Sequence, residues 1–131
     1  MNALCTYCSY SKRDDAGEMP AIRRYTSTRI GRVYEASTIL GVGFCILSGE
    51  YGLLLPEQPI PNYDHLLMSH EVASLAARVA EQIPELGLEG IVYMTHALAS
   101  DDKLVPYRDV IVTASLRARI PCLVMEMPLR P

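Results

Sequence analysis

Two carboxylates stand where apolar stretches give way to polar ones. Glu50 lies in Ser48-Gly49-Glu50-Tyr51-Gly52, directly after the run Gly43-Phe44-Cys45-Ile46-Leu47. A carboxylate at the end of a buried strand can serve as acid, base or hydroxyl acceptor. Gly49 and Gly52 allow a sharp turn and a close approach of ligand to backbone; a turn that simply needs positive φ is the structural alternative. Ser48 offers a hydroxyl to a phosphate or a base edge, without the Gly-x-Ser-x-Gly setting of a nucleophile elbow. The second carboxylate, Asp64, closes Pro59-Ile60-Pro61-Asn62-Tyr63-Asp64. Prolines stiffen that segment, so it can hold Tyr63 to stack on a ring and Asp64 to act as base or ribose acceptor. A proline-braced surface turn, with Asn62 or Asp64 bonded locally, is the structural alternative.

A third group is Cys8-Ser9-Tyr10-Ser11-Lys12. Two hydroxyls and a lysine past a strand end suit an anion or phosphate. The glycines of a P-loop are missing. Cys5 and Cys8 form a Cys-x-x-Cys, but no second cysteine pair exists, and His65, His70 and His96 show no metal spacing. No metal and no other cofactor is therefore expected. His96 follows a third apolar run, and Lys103, Tyr107 and Arg108 near a helix start could hold an anion.

The elements that must position these residues follow from periodicity. Short apolar runs at Leu4–Tyr7, Gly43–Ser48, Gly90–Thr95 and Pro121–Met125 predict four strands. A helix is expected from about Thr26 to Leu40, with Gly41 as its stop. A second should start with Ser69 as its cap, bury Val72, Leu75, Ala76, Val79, Ala80 and Ile83, and be stopped by Pro84. A third should begin near Pro106 and bury Tyr107, Val110, Ile111 and Ala114. Residues 13–20 and 96–105 read as polar loops, and Gly49–Leu67 as one long functional loop. Alternating β and α units predict one α/β domain over residues 1–131, with three layers and a mostly parallel four-stranded sheet between helices. Ligands in such sheets bind beyond the carboxyl ends of the strands. The segments starting at Cys8, Gly49 and His96 should then meet at one edge.

The chain has 131 residues, half of them hydrophobic, and a formal net charge of −3. That balance suits one packed domain and gives no electrostatic case for non-specific nucleic-acid binding. Arg23, Arg24, Arg29 and Arg32 nevertheless fall close together. The start, Met1-Asn2-Ala3-Leu4-Cys5, has no basic, apolar and small-residue tripartite pattern of a secretory leader. No apolar run approaches membrane-spanning length, so a cytoplasmic protein without a membrane partner is expected. Cys45 and Cys122 sit inside apolar runs and should be buried thiols.

Ile46-Leu47-Ser48-Gly49-Glu50-Tyr51-Gly52-Leu53-Leu54, followed by Pro61-Asn62-Tyr63-Asp64, resembles the hallmark of the YaaA-type peroxide-stress proteins. It is closer still to a related group of short domains with a Cys-Ser-x-x-Lys element (here Cys8-Ser9-Tyr10-Ser11-Lys12). Those domains carry a Tyr-x-Ser opening the first helix (Tyr25-Thr26-Ser27) and a later Tyr-Arg (Tyr107-Arg108). The resemblance implies a Rossmann-like, uracil-DNA-glycosylase-like fold, a link to oxidative stress and DNA, and action on nucleobases or modified nucleosides. The expected function is an enzyme directed at a nucleoside, nucleotide or nucleobase, cleaving or transferring at an N-glycosidic bond. Glu50 or Asp64 would activate water or stabilise oxocarbenium-like charge. Tyr51 or Tyr63 would stack the base, and Ser9, Ser11 and Lys12 would hold a phosphate. The alternative is a non-catalytic nucleotide- or nucleic-acid-binding module in stress response or DNA modification.

Overall fold

The computed structural model describes residues 1–128. Seven strands and four helices of regular α type occur among them. In chain order they are β1 (Asn2–Tyr7), β2 (Met19–Pro20), α1 (Ala21–Arg24), α2 (Thr28–Leu40), β3 (Gly43–Ser48), β4 (Gly52–Leu54), β5 (Pro59–Ile60), α3 (Val72–Glu85), β6 (Gly90–His96), α4 (Val105–Ala118) and β7 (Cys122–Met127). The main sheet has five strands in the order β4-β3-β1-β6-β7. All neighbours are parallel except β4, which runs antiparallel to β3. The α/β class and the mostly parallel sheet match expectation; the strand count does not.

The extra strand comes from the segment expected to be one long loop. Leu53 and Leu54 are buried, and Gly52, at φ +74°, turns the chain back onto β3. Ser48 then pairs with Gly52 and Ile46 with Leu54. Three residues of strand are too few to show a period of two, so the hairpin leaves no alternation to read. Further on, β5 pairs antiparallel with β2 in a two-residue ribbon, which shortens the loop again.

The crossover from β1 to β3 runs one way along the sheet, and those from β3 to β6 and from β6 to β7 run the other. With right-handed connections, α2 lies on one face and α3 and α4 on the other. The contacts agree: α2 packs on β1 and β3, whereas α3 and α4 pack against each other. Tyr34 of α2 meets Phe44 of β3 edge-on at 5.1 Å between ring centroids. Leu75, Ala76, Val79 and Ile83 form the buried stripe of α3, while Val72 and Ala80 are half-buried at its margin. Tyr107, Val110, Ile111 and Ala114 of α4 are buried as the period predicts.

Helix ends depart from expectation in three places. Helix α2 starts at Thr28 and ends at Gly41, whose φ of +69° lets the Val42 N–H reach Ser37 O at 3.0 Å. Ser69 caps nothing; it opens a 3₁₀ turn, Ser69–Glu71, whose start is held by the Met68 N–H donating to Glu71 Oε1 at 2.9 Å. Pro84 lies inside the last turn of α3, which runs to Glu85. Among the described residues, no helix is long and apolar enough to cross a membrane.

Candidate functional site

The connections leaving β1 and β6 run in opposite directions, which makes the gap between these neighbours a topological switch point. Open α/β sheets bind ligands in the crevice outside such a point. A cavity of about 660 Å³ lies there. It is lined by Tyr7 to Lys12 after β1, by residues 26–29 at the start of α2, by residues 64–66, by His96, and by Tyr107. A volume of this size accommodates a ligand of nucleotide dimensions.

Arg29 is the buried cation of this cavity. It is 6% exposed and pairs with no carboxylate among the described residues. Its Nη1 donates to Thr6 Oγ1 at 2.6 Å and to Tyr7 O at 2.7 Å, and Nη2 donates to Cys8 O at 3.3 Å. The guanidinium carbon Cζ sits over the Tyr7 ring, 3.4 Å from its centroid. Burial lowers its pKa from the ordinary value, an effect opposed by the Tyr7, Tyr93 and Cys8 groups around it. Tyr7 Oη and His96 Nδ1 share a hydrogen bond of 3.2 Å across the switch point. Burial first, then the charges of Arg29 and Arg32, hold the His96 imidazole below its usual pKa, so the ring is neutral at pH 7.

The resemblance motif converges on a second centre. Ser48 Oγ, fully buried, accepts the N–H groups of Glu50 and Tyr51, each at 3.1 Å. It therefore serves the turn rather than an open pocket. The same oxygen is 2.8 Å from Tyr63 Oη, which in turn hydrogen-bonds Tyr25 Oη. Tyr63 packs edge-on against Tyr51 and Tyr25, and the Lys12 ammonium sits 4.7 Å from its ring centre. Burial drives the Tyr63 and Tyr25 hydroxyls well above their ordinary pKa. Burial also lowers Lys12, against the raising charges of Cys8 and Asp64.

Glycine matters at both ends of the hairpin turn. A Cβ at Gly52 would sit 2.3 Å from Gln82 Oε1, which accepts the Leu53 N–H at 2.8 Å. A Cβ at Gly49 would meet His65 O at 3.0 Å and Tyr107 Oη at 3.2 Å. The residue 64–67 segment thus lies directly on the Gly49 backbone, and Tyr107 Oη accepts the Leu67 N–H there at 3.1 Å. The close approach that glycine permits is made by the protein's own chain.

The expected site residues divide among several places. Cys8, Ser9, Ser11, Lys12, Asp64, His96 and Tyr107 line the main cavity. Ser9 and Ser11 are tied locally, Ser9 Oγ donating to Ser11 O at 2.6 Å. Tyr63 lines a smaller cavity of about 400 Å³ with Tyr10, Lys12, Asn62 and Asp64. Glu50 and Gly49 line a third, of about 450 Å³. Glu50 and Asp64 therefore do not face one cavity. Glu50 instead bonds His65 Nδ1, while His65 Nε2 meets Glu71 Oε2 at 2.8 Å. Held first by Glu50 and then by Glu71, the His65 imidazolium persists above its usual pKa, with burial opposing.

Sequence reasoning missed three contributors: Tyr7, Ser27 and Arg29 as a buried group. Arg29 was visible only as one of four arginines that fall close together, a group that would favour nucleic-acid binding if it made a continuous basic surface. It does not form one. Arg23 and Arg32 are exposed, but Arg24 and Arg29 are buried. Arg24 spends its guanidinium on the carbonyls of Arg13, Asp15, Gly17 and Ile60. All four cysteines are free, and burial raises the Cys5 thiol and pushes Cys45 up to about 12. Cys122 is only partly buried.

Compared with known proteins, the chain matches no family model, no curated protein and no solved structure.

Proposed function

We propose that this protein is a nucleoside- or nucleotide-directed enzyme whose ligand lies in the cavity at the β1–β6 switch point and whose reaction breaks or transfers an N-glycosidic bond. The observation that carries the proposal is that cavity: about 660 Å³, at the position where open α/β sheets take nucleotides, with Asp64, Lys12 and a neutral His96 at its wall. Asp64, which shares the cavity wall with Asp101, would activate water. Water would add to the anomeric carbon as the C–N bond breaks, Asp64 would take the water's proton, and the base would leave with the bond's electron pair and take up a proton from solvent, to which Asp64 returns its own. Glu50, in another cavity, positions His65 and the segment that carries Asp64.

Kinship with the YaaA-type proteins and a Rossmann-like, uracil-DNA-glycosylase-like fold belong to the same proposal. Its support is that three parts of the resemblance motif meet: Ser48, Tyr63 and Tyr25 form one hydrogen-bonded chain. Four free thiols accord with a cytoplasmic site of action. One observation favours a non-catalytic nucleotide-binding module instead: the two expected carboxylates line different cavities.

A thermal-shift screen against nucleobases, nucleosides and nucleotides should raise the melting temperature with one class. Chromatography of the same mixtures should show released base, reduced about 100-fold or more in Asp64→Asn at unchanged melting temperature. Binding without release supports the module. No shift with any class overturns both.

A further inference from the structure

The main cavity carries an imbalance that its size alone does not explain. Arginine has five N–H donors. Three of Arg29's are used, on Thr6, Tyr7 and Cys8. The Nε proton and one Nη2 proton have no protein acceptor among the described residues. Nε is not among the fully enclosed polar atoms that lack a partner, and Arg29 lines the cavity. A buried cation is normally paired, because removing it from water is costly. Here only neutral oxygens accept its hydrogen bonds among the described residues.

The start of α2 repeats the pattern in the same cavity. Ser27 has N-cap backbone geometry, φ −66° and ψ 129°, yet its side chain makes no cap bond. No acidic residue occupies the first turn, where one would complement the helix dipole. Thr26, Ser27 and Thr28 line the cavity with their hydroxyls and backbone. An anion seated there would receive helix N–H groups, the Ser27 hydroxyl and the two free Arg29 protons.

We infer that the ligand of this site is a phosphate monoester, with its phosphate seated between Arg29 and the first turn of α2. This deepens the proposed function and rests on it for the base: the substrate class is a nucleoside 5′-monophosphate rather than a free base or nucleoside. It also moves the phosphate from the Ser9 and Ser11 segment, where the Ser9 hydroxyl already donates to the Ser11 carbonyl. Lys12 and Lys103 are further cations on the cavity wall. The carboxylates Asp64 and Asp101, which also line the cavity, repel a phosphate and leave the sugar and base to their side.

The test is calorimetric titration of the purified chain with inorganic phosphate, ribose 5-phosphate, nucleosides and their 5′-monophosphates. The monophosphates should bind at least ten-fold tighter than the nucleosides, and ribose 5-phosphate should compete with them. Arg29→Lys should remove most of that preference. Because Arg29 also ties Thr6, Tyr7 and Cys8 together, Ser27→Asp is the second variant. Aspartate is a good N-cap, so the melting temperature should hold or rise, while its charge should expel phosphate and cut the preference at least ten-fold. Equal binding of nucleoside and monophosphate overturns the phosphate seat and leaves the nucleoside reading standing. Phosphate preference undiminished in Ser27→Asp overturns the seat likewise. Binding of ribose 5-phosphate and inorganic phosphate with no contribution from any base keeps the seat and overturns the nucleoside reading. No binding of any of them overturns both.

Discussion

Replacing Tyr63 with phenylalanine separates two roles for that residue. The ring would remain, with its edge contacts to Tyr51 and Tyr25 and with Lys12 over its face. Only the hydroxyl goes. Its loss can be followed atom by atom. Ser48 Oγ has two lone pairs and one proton, and the Glu50 and Tyr51 N–H groups occupy both lone pairs. Its proton must therefore go to Tyr63 Oη, 2.8 Å away. Tyr63→Phe leaves that proton without an acceptor and the Tyr25 hydroxyl without its partner. Ser48 is fully buried and Tyr25 is 4% exposed, so water does not replace either bond.

A buried hydroxyl left unpaired costs about 1–3 kcal/mol. The two stranded groups face one vacated site and can turn toward each other, so the costs do not simply add. We expect a loss of about 2 kcal/mol, which moves the midpoint of urea unfolding by ~1–2 M at an ordinary m-value for a domain of this size. Ser48→Ala should cost a similar amount, because it strands two turn amides. The double variant should fall short of the sum by at least about 1 kcal/mol, as members of one network do. Additive losses, or a Tyr63→Phe cost below ~0.5 kcal/mol, would refute the wiring of the chain. Tyr63→Phe should also leave ligand affinity nearly unchanged. A ten-fold loss of affinity at full stability would instead put the Tyr63 hydroxyl on the ligand.

Gly52→Ala should destabilise by about 2–4 kcal/mol, combining a left-handed alanine with displacement of the Gln82 amide from Leu53; a cost under ~1 kcal/mol in urea unfolding would show that the hairpin adjusts freely. His65→Gln should be pH-dependent. A raised folded pKa contributes stability that is fully present below the unfolded value near 6.5 and is lost as pH rises through the folded value. The deficit of His65→Gln relative to the parent should therefore be largest near pH 6 and shrink toward pH 9, and a deficit that grows with pH would refute the ion pairs.

What the sequence could reveal depended on how local each signal is. The strands β1, β3, β6 and β7 are apolar runs, and α3 carries its stripe at helical spacing, so each is legible over a few consecutive residues. From that order the carboxyl-end edge follows, and with it seven residues of the main cavity. Contacts between distant positions leave no such trace. Tyr25, Ser48 and Tyr63 are 15 to 38 residues apart, yet their oxygens meet. Glu50 and His65 are 15 apart, which no helical or strand period links. The four arginines illustrate the other limit. They look alike in a charge count, and only tertiary burial separates Arg24, which stitches carbonyls of a loop, from Arg29, which faces a cavity.

That separation bears directly on what the chain can bind. Duplex or single-stranded nucleic acid is held by cations displayed along a surface, in proportion to the phosphates they neutralise. This chain, at net charge −3, withdraws two of its four clustered arginines from solvent. Arg23 and Arg32 stay at the surface, and Arg29 is confined. Arg29 sits at the cavity, near the open end of a helix, where low dielectric strengthens its attraction for a single small anion. A polymer with a charge at every nucleotide would meet two exposed arginines of that group, whereas on the proposed reading one phosphate that enters the cavity would meet the unused Arg29 protons and the uncapped start of α2. The same acidic balance that disfavours nucleic acid at the surface is compatible with a phosphorylated small molecule inside, because burial, not net charge, decides which arginines act.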